Sequence, residues 1–261
     1  MENTSWNTSI SNIQPNSIEI RGYDIGELIG NVSFAEQIYL VITGELPDKR
    51  IASVFEAILC ASIDHGAGTP SALAARTAIS GGAALNGAAA AGLLTMGDHH
   101  GAAVQNCMQA ILDLSARADQ ANSLDSIIVK NIEAWKLEGK NFPGVGHRVH
   151  SKDPRVKRLL EIAEQNGLKG KYVNCVERIS TLLSEKKGKP IPVNIDGISA
   201  ALLCELHFPI EFANVVFMIS RIVGVFTQAN EEKTTMKPMR RIDPVQIVYT
   251  GKPSRKLGIR K

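Results

Sequence analysis

The stretch Pro143-Gly144-Val145-Gly146-His147-Arg148-Val149-His150-Ser151-Lys152-Asp153-Pro154-Arg155 organises this chain of 261 residues. Its two glycines lie just before His147, where they allow the backbone to turn tightly and to approach a ligand closely. An imidazole therefore stands at the end of a tight turn. Taken alone, this pattern is equally compatible with a surface histidine in a loop.

The end of the same stretch predicts the start of a helix over Val156–Asn166. Asp153 can act as its N-cap, and Pro154 suits the first helical position. Arg155 then falls in the first turn. A guanidinium disfavours the helix there, but beside free backbone N–H groups it makes a good pocket for an anion.

The bulk composition predicts a soluble globular protein with one large domain or two small ones. Hydrophobic residues make up 44% of the chain and aromatic residues only 5%, so the core must be aliphatic and rich in alanine. The charged fraction of 21% excludes a disordered chain. A net charge of +3, with scattered basic residues, does not favour nucleic acid but suits a polyanionic small substrate.

The four cysteines, Cys60, Cys107, Cys175 and Cys204, stand apart from one another without CxxC or Cys/His ligand spacing. They are predicted to be buried, reduced thiols, and no metal site is predicted. The N-terminus lacks a basic region followed by an apolar run, so no signal peptide is expected. Together these features predict a cytoplasmic protein without a membrane anchor.

The chain is predicted to be all-α, because helical periodicity dominates and no long alternating run is present. Residues 1–17 are polar and are predicted to form a flexible arm, followed by a short strand over Ser17–Arg21. Further helices are predicted over Asp196–Leu206 and Pro209–Gln228, with a polar connection over Glu231–Arg241.

The segment Ser71–Met96 consists mostly of Ala, Gly and Leu. Arg76, Asn86 and several glycines interrupt it, which argues against a membrane span. Small residues allow helix backbones to approach closely, so we predict a buried helix pair at a subunit interface.

Three further segments accompany the loop: Asp64-His65-Gly66, then Gly97-Asp98-His99-His100-Gly101-Ala102-Ala103, and later Val193-Asn194-Ile195-Asp196-Gly197. Together with the GxGH-(x)5-DPR spacing, and in this order, they resemble the citrate synthase superfamily. The resemblance extends from Arg21-Gly22-Tyr23-Asp24 to near Tyr249. It is most similar to citryl-CoA lyases, including the module that ends ATP-citrate lyases.

The resemblance implies a citrate synthase-like fold with a large helical domain (1–105 and 207–261) and an inserted small helical domain (106–206). It implies citryl-CoA, acetyl-CoA and oxaloacetate as ligands, with coenzyme A as part of the substrate and no permanently bound cofactor. It also implies a homodimer or larger homo-oligomer, with a citryl-CoA synthetase as a possible partner and no role for nucleic acid.

The implied reaction is the retro-Claisen cleavage of citryl-CoA, in which a base, an acid and a donor to the thioester oxygen are required. By resemblance, His100 hydrogen-bonds the thioester oxygen, His147 contacts the citryl hydroxyl or the oxaloacetate carbonyl, and Asp196 transfers the proton at the acetyl carbon. The residues themselves leave other roles open. A lone histidine is usually structural, and Asp196 could instead cap the helix that follows it.

The implied substrate contacts are His65, Arg155, Arg221 and Arg241, the last reaching the site of a partner subunit, with Arg240 as its alternative. Arginine forks suit the two free carboxylates of the substrate. Arg221 is also notable on physical grounds, because an unpaired charge inside an apolar helix is costly. The expected contacts to coenzyme A are Gly144, Val145, Gly146, Lys140, Arg148, Lys152 and Lys189, although solvated surface lysines would give the same pattern.

Two alternative functions remain open at this point. A short citrate synthase or 2-methylcitrate synthase would share every catalytic residue but would hydrolyse the thioester. A non-catalytic paralogue could serve as a subunit of a citrate-cleaving complex. The chain departs from the synthase pattern at Ala102-Ala103-Val104, where a more polar sequence is usual in that family.

Overall fold

The computed structural model describes residues 6–97, 99–101, 103–121, 123–146 and 153–257, and this part of the chain is predominantly helical. The all-α prediction is confirmed. The helices are α1 (Ile25–Leu28), α2 (Phe34–Thr43), α3 (Lys49–Ser62), α4 (Pro70–Ser80), α5 (Leu85–Leu94), α6 (Ala103–Ala121), α7 (Leu124–Leu137), α8 (Pro154–Gln165), α9 (Lys171–Lys187), α10 (Ile195–Glu205) and α11 (Ala213–Thr235). Two short 3₁₀-helices cover Ile210–Phe212 and Pro244–Gln246.

A small antiparallel sheet precedes the helices, in the order β1 (Ser11–Gln14), β2 (Ser17–Ile20), β3 (Tyr23–Asp24). The predicted strand at Ser17 is confirmed, but the prediction of a flexible arm is wrong for β1. Asn16 adopts a left-handed φ of 61°, which turns the chain back so that β1 pairs with β2. The sequence is polar because side chains on β1 are largely exposed, while the backbone supplies the pairing.

The main core surrounds α10, in which nine of the eleven residues are buried. This helix packs against α6, α8 and α9 and also touches α3. Its burial explains the apolar sequence, since a helix that is hydrophobic all round needs neighbours on every side. One continuous cluster of buried side chains joins elements from both sides of the expected domain boundaries. Those boundaries, at 106 and 206, stay a prediction.

The Ala/Gly-rich segment forms two helices, α4 and α5, which pack against each other and against α11. The small residues serve this packing: a Cβ at Gly92 would meet the side chain of Val225 and the carbonyl oxygen of Ser71. On the outer side, Leu73 and Leu94 are exposed, Leu94 at 87%. The helix pair is confirmed, and its place at a subunit interface stays a prediction.

Helix α11 runs to Thr235, further than the predicted end at Gln228. Arg76 on α4 explains the extension, because its Nε donates to Glu232 at 2.9 Å and its Nη1 lies 3.2 Å from Glu231. These ion pairs stabilise the polar C-terminal end of α11 in a helical conformation. The prediction of an irregular connection from Glu231 onward is therefore wrong for its first turn.

Among the described residues, Ile210–Thr235 is one helical segment long and apolar enough to cross a membrane by length and composition. It carries the buried residues Arg221 and Glu232 and packs against α3, α4, α5 and α6. The cytoplasmic location and the absence of a membrane role stay predictions.

Candidate active site

A cavity of about 160 Å³ brings together five of the side chains singled out from the sequence. These are His65, His100, Arg155, Asp196 and Arg221. They come from the loop after α3, the turn before α6 and the starts of α8 and α10, as well as the middle of α11. Residues more than 150 positions apart thus meet at one point, where two arginines, two histidines and a carboxylate can act on one anionic ligand.

The loop that contains Gly144 and Gly146 is hydrogen-bonded directly to the residues that precede α10. The amide of Asn194 donates to the carbonyl oxygen of Gly144 at 3.0 Å, and the amide of Gly146 donates to Pro192 at 2.6 Å. Gly144 has a φ of +82°, and a Cβ on it would collide with the backbone of Gly197. Glycine is required at both positions because the two backbones touch. The segment leading into His147 is thereby held beside Asp196.

His147 itself lies outside the described residues, as do Arg148 and Lys152. Their roles stay predictions. Gly146, the last described residue before them, accepts a hydrogen bond from the Asn194 side chain at 2.8 Å. One residue before the expected catalytic histidine, the described backbone is therefore bonded to Asn194, which lines the cavity.

Asp196 is not the cap of its helix, so that alternative is wrong. Asn194 occupies the N-cap position, and its Oδ1 accepts from the amides of Asp196 and Gly197 at 3.0 and 3.1 Å. The Asp196 carboxyl is thus left available to the cavity. Burial raises the pKa of Asp196, opposed by the nearby positive charges of Arg155 and Arg221. A raised pKa suits a group that must carry and release a proton.

His100 is held at the N-terminus of α4. Its Nε2 lies 2.9 Å from the Ser71 hydroxyl and accepts from the Ser71 backbone amide at 3.4 Å. Burial lowers the pKa of His100, and the charges of Arg221 and His65 lower it further. The ring is therefore favoured in its neutral form. When Nε2 accepts from the Ser71 amide, the proton lies on Nδ1, which can then donate to a ligand oxygen.

Arg221 is buried at 3% exposure, as its apolar helix predicted. Its Nε donates to the Ser62 carbonyl at 2.8 Å, and the guanidinium lies 4.7 Å from the centre of the Phe217 ring. Burial lowers the pKa of Arg221, and the charge of Asp64 opposes that effect. One nitrogen fixes the orientation of the fork, and its remaining N–H groups suit a carboxylate.

Arg155 also faces the cavity, but it is already engaged. It forms a two-point pair with Asp153, at 3.0 Å from Nε to Oδ1 and 2.7 Å from Nη2 to Oδ2. The predicted cap by Asp153 is confirmed by its hydrogen bond from the Arg155 amide. The contact of Arg155 with substrate stays a prediction. Any such contact must use the part of the guanidinium that faces away from Asp153.

A larger cleft of about 980 Å³ adjoins the cavity and shares Asp196, Asn194, His99 and Ala103 with it. Among the expected coenzyme A contacts, Lys140, Gly144 and Val145 line this cleft. Gly146 is half-buried at the loop, and Lys189 is exposed after α9. Arg241 is exposed near the C-terminal end of the described chain. The ligand contacts of these residues stay predictions.

Sequence reasoning missed Ser71, Asn194 and Phe217 at this site. Ser71 follows a Thr-Pro pair that marks a helix start, and Asn194 stands two residues before Asp196, so both had a local capping signal. Phe217 carries no such signal. It lies edge-on to His100 with ring centres 6.3 Å apart, and a Cβ on Gly101 would collide with it. Only the tertiary structure assigns it to the site.

No cluster of three or more metal-ligating side chains occurs among the residues that the structure describes.

Comparison with known proteins agrees with this geometry. The family model described as "Citrate synthase, C-terminal domain" matches residues 1–55 and 47–242. The chain belongs to the citrate synthase family. The structure of a citryl-CoA lyase from Hydrogenobacter thermophilus is 37% identical, covers 97% of both chains and superposes with a TM-score of 0.88. The resemblance stated from the motifs is confirmed.

Other members of the family are more distant. An ATP-citrate synthase beta chain from Arabidopsis thaliana is 23% identical over 90% of this chain, which spans 38% of that protein. A citrate synthase from Haloferax volcanii is 28% identical over 81% of this chain and 55% of its own length. The structure of an ATP citrate lyase from Methanothrix soehngenii, in complex with citrate and coenzyme A, shares the fold with a TM-score of 0.85 at 22% identity.

Proposed function

We propose that this protein is a citryl-CoA lyase, which cleaves citryl-CoA to acetyl-CoA and oxaloacetate. The observation that carries the proposal is the meeting of His100, Asp196 and the two arginines in a cavity that opens into the larger cleft. The small cavity suits the citryl group with its two free carboxylates. The cleft offers room for the coenzyme A portion, and the shared residue Asp196 stands at the junction, where the thioester would lie.

In this reaction the substrate carboxylates pair with Arg155 and Arg221. His147 accepts the proton of the citryl hydroxyl as that oxygen becomes the carbonyl of oxaloacetate. The bond between the two carbons breaks, and its electron pair passes to the acetyl group as an enolate. The Nδ1–H of His100 donates to the enolate oxygen, an interaction worth several kcal/mol when the donor is held in place. Here Ser71 holds it.

The acetyl carbon then takes a proton from Asp196, which completes acetyl-CoA. Burial raises the pKa of this carboxyl and so favours the protonated form that the cleavage direction needs. Proton transfer from a positioned group contributes about 10²–10⁴-fold. All of these steps use side chains of the protein, without ATP or a metal ion.

The lyase is preferred over a synthase because of the extent of the likeness. The chain is 37% identical to the citryl-CoA lyase, with a TM-score of 0.88, whereas it is 28% identical to the Haloferax citrate synthase. A synthase must also deliver water to the thioester carbon. Ala103, a small apolar residue that lines the cavity, fits a site with few groups to hold that water.

The deciding experiment is to incubate the pure protein with citryl-CoA and to identify the products. Acetyl-CoA and oxaloacetate, formed faster than citrate and free coenzyme A, support the lyase. Citrate and coenzyme A as main products favour the synthase instead. Binding of citryl-CoA without turnover points to the non-catalytic paralogue.

We further propose a homodimer in which the exposed sides of α4 and α5 meet, with Arg241 reaching into the neighbouring site. The apolar residues Leu73 and Leu94 on that outer side favour such a contact. A monomer by light scattering at micromolar concentration contradicts this proposal. The likeness to the beta chain of an ATP-citrate synthase suggests a separate citryl-CoA synthetase as partner and source of the substrate.

A further inference from the structure

The loop between α3 and α4, residues 63–69, brings His65 and Thr69 to the wall of the small cavity. Most of its residues are exposed, and it contains no helix or strand. An exposed loop makes few contacts within itself that could fix its position. This loop therefore needs contacts with neighbouring elements to keep His65 at the site.

One face of α11 supplies such contacts. The Nε of Arg221 donates to the carbonyl oxygen of Ser62, directly before the loop, at 2.8 Å. One turn further along α11, a Cβ on Gly224 would collide with the loop backbone, so the two segments touch there. After another turn, Nε2 of Gln228 donates to Oδ2 of Asp64 at 3.2 Å. Spacings of three and four residues place these contacts on one side of the helix.

Gln228 connects the loop to a second partner. Its Oε1 accepts from Nη1 of Arg76 at 2.8 Å, while its Nε2 donates to Asp64. A guanidinium only donates and an ionised carboxylate only accepts, so a single orientation of the amide satisfies both. Arg76 is buried and also pairs with Glu232 at 2.9 Å. The amide thus ties an exposed loop to a buried, ion-paired part of the core.

This bridge also determines where the negative charge of Asp64 acts. Gln228 joins Asp64 to Arg76 through a neutral amide rather than through an ion pair. The charge of Asp64 instead favours the protonated form of Arg221, because it opposes the effect of burial on the pKa of that guanidinium. The Gly66 amide also donates to Asp64, at 3.1 Å, and closes the turn that follows. Asp64 therefore supports both the loop and Arg221.

We propose that Gln228 is a positioning residue for substrate binding, which acts through Asp64 on the loop that carries His65. Gln228 is not among the residues that line the small cavity, so it acts without touching the substrate. The inference rests on the proposed function, in which Arg221 pairs with a substrate carboxylate. Loss of the bridge should weaken substrate binding but should remove no group that the bond cleavage itself needs.

The test distinguishes the two sides of the Gln228 amide. Gln228→Glu keeps an acceptor for Arg76 but places a like charge against Asp64, whereas Gln228→Met removes both hydrogen bonds. Calorimetric titration with oxaloacetate measures binding, and initial rates with citryl-CoA give KM and kcat. We expect both variants to bind oxaloacetate about three- to tenfold more weakly and to raise KM by a similar factor. The kcat should stay within about twofold of wild type, as for a loss of uniform binding.

Two further variants make the result specific. Asn230→Asp makes the same change from amide to carboxylate at an exposed position of α11 and should bind oxaloacetate normally. Adding Asp64→Asn to Gln228→Glu restores the hydrogen bond in the reverse direction and keeps one negative charge in the pair. This double variant should bind oxaloacetate more tightly than Gln228→Glu alone. Circular dichroism checks that every variant is folded.

A purely structural role, in which only the bond to Arg76 matters, gives a different result. Gln228→Glu would then bind oxaloacetate with normal affinity and show a normal KM, which would overturn the proposal. Additive losses in the double variant, without rescue, would overturn it as well.

The outcome is separable from the proposed function, because oxaloacetate binding is measured without turnover. If the wild-type protein binds oxaloacetate and cleaves citryl-CoA, and Gln228→Glu does both equally well, only this inference fails. If the wild-type protein binds no oxaloacetate, the proposed function fails together with it.

Discussion

Two aspartates at the starts of two helices show how the same side chain can be used for structure or for chemistry. Asp153 caps α8 and forms a two-point pair with Arg155, and its side chain is 1% exposed. Asp196 is the second residue of α10, whose cap is supplied by Asn194 instead. The first carboxylate is fully committed to the fold. The second is free to act because a neighbouring residue does the capping.

The two carboxylates also differ in how the surrounding protein affects the stability of their negative charge. An ion pair and a backbone hydrogen bond stabilise the charge of Asp153, whereas burial works against the charge of Asp196 and raises its pKa. A protein tolerates a disfavoured charge where the reaction requires it. Replacing each carboxylate by its neutral amide should therefore have opposite effects on stability, and only one replacement should abolish activity.

The largest effect is expected for Asp196→Asn, which removes the proton donor and keeps the shape. Cleavage of citryl-CoA should fall by about 10²–10⁴-fold. Initial rates of oxaloacetate release measure it, and circular dichroism should show an intact helical fold. A variant that retains more than a tenth of the wild-type rate would exclude Asp196 as the catalytic acid.

The next effect is a loss of stability in Asp153→Asn. The amide can still cap α8, but it leaves Arg155 without its counter-charge. Removing one partner of a buried pair costs about 3–5 kcal/mol, and because Arg155 is 18% exposed in its side chain we expect about 2 kcal/mol. Urea unfolding measures the change.

A matched control exists on the surface. Asp125 makes a similar two-point pair with Arg178, but both side chains are substantially exposed. Asp125→Asn should cost less than about 1 kcal/mol. Equal losses in the two variants would mean that burial does not distinguish the α8 pair.

A third variant, Asn194→Ala, should make Asp196 resemble Asp153. Without its cap, α10 loses about 1 kcal/mol of stability, and the Asp196 carboxyl becomes the nearest group that can accept from the free amides. The loss of the Asn194 bond to Gly146 also loosens the loop before His147. We expect activity to fall about tenfold, with Asn194→Asp restoring stability. Unchanged activity in the alanine variant would show that the cap does not free Asp196.

The smallest effect concerns pH. Because the pKa of Asp196 is higher in the folded than in the unfolded state, its contribution to stability is fully present at low pH and is lost as pH rises through the folded value. Wild-type protein should therefore lose stability relative to Asp196→Asn as pH rises above about 4, the pKa of an aspartate in the unfolded chain. Urea unfolding of both proteins across this range measures the difference. A constant difference would contradict the raised pKa.

The sequence by itself determined the all-α class, the family, the cap at Asp153 and the buried charge of Arg221. The family came from a resemblance of motifs, whereas the class, the cap and the buried charge follow from local patterns, since turn residues, caps and helical periodicity act within a few residues. The same local reasoning failed at β1, where pairing depends on a backbone turn at Asn16, and at the end of α11, where Arg76 reaches across from another helix.

Only the tertiary structure decided which residues share one site. It placed Ser71 behind His100 and Phe217 beside Arg221, and it showed that Asn194, not Asp196, caps α10. These outcomes depend on contacts between distant segments, whose geometry is set by close backbone packing such as that of Gly144 on Gly197. A carboxylate's role is a property of its surroundings, and those surroundings exist only once the helices have packed.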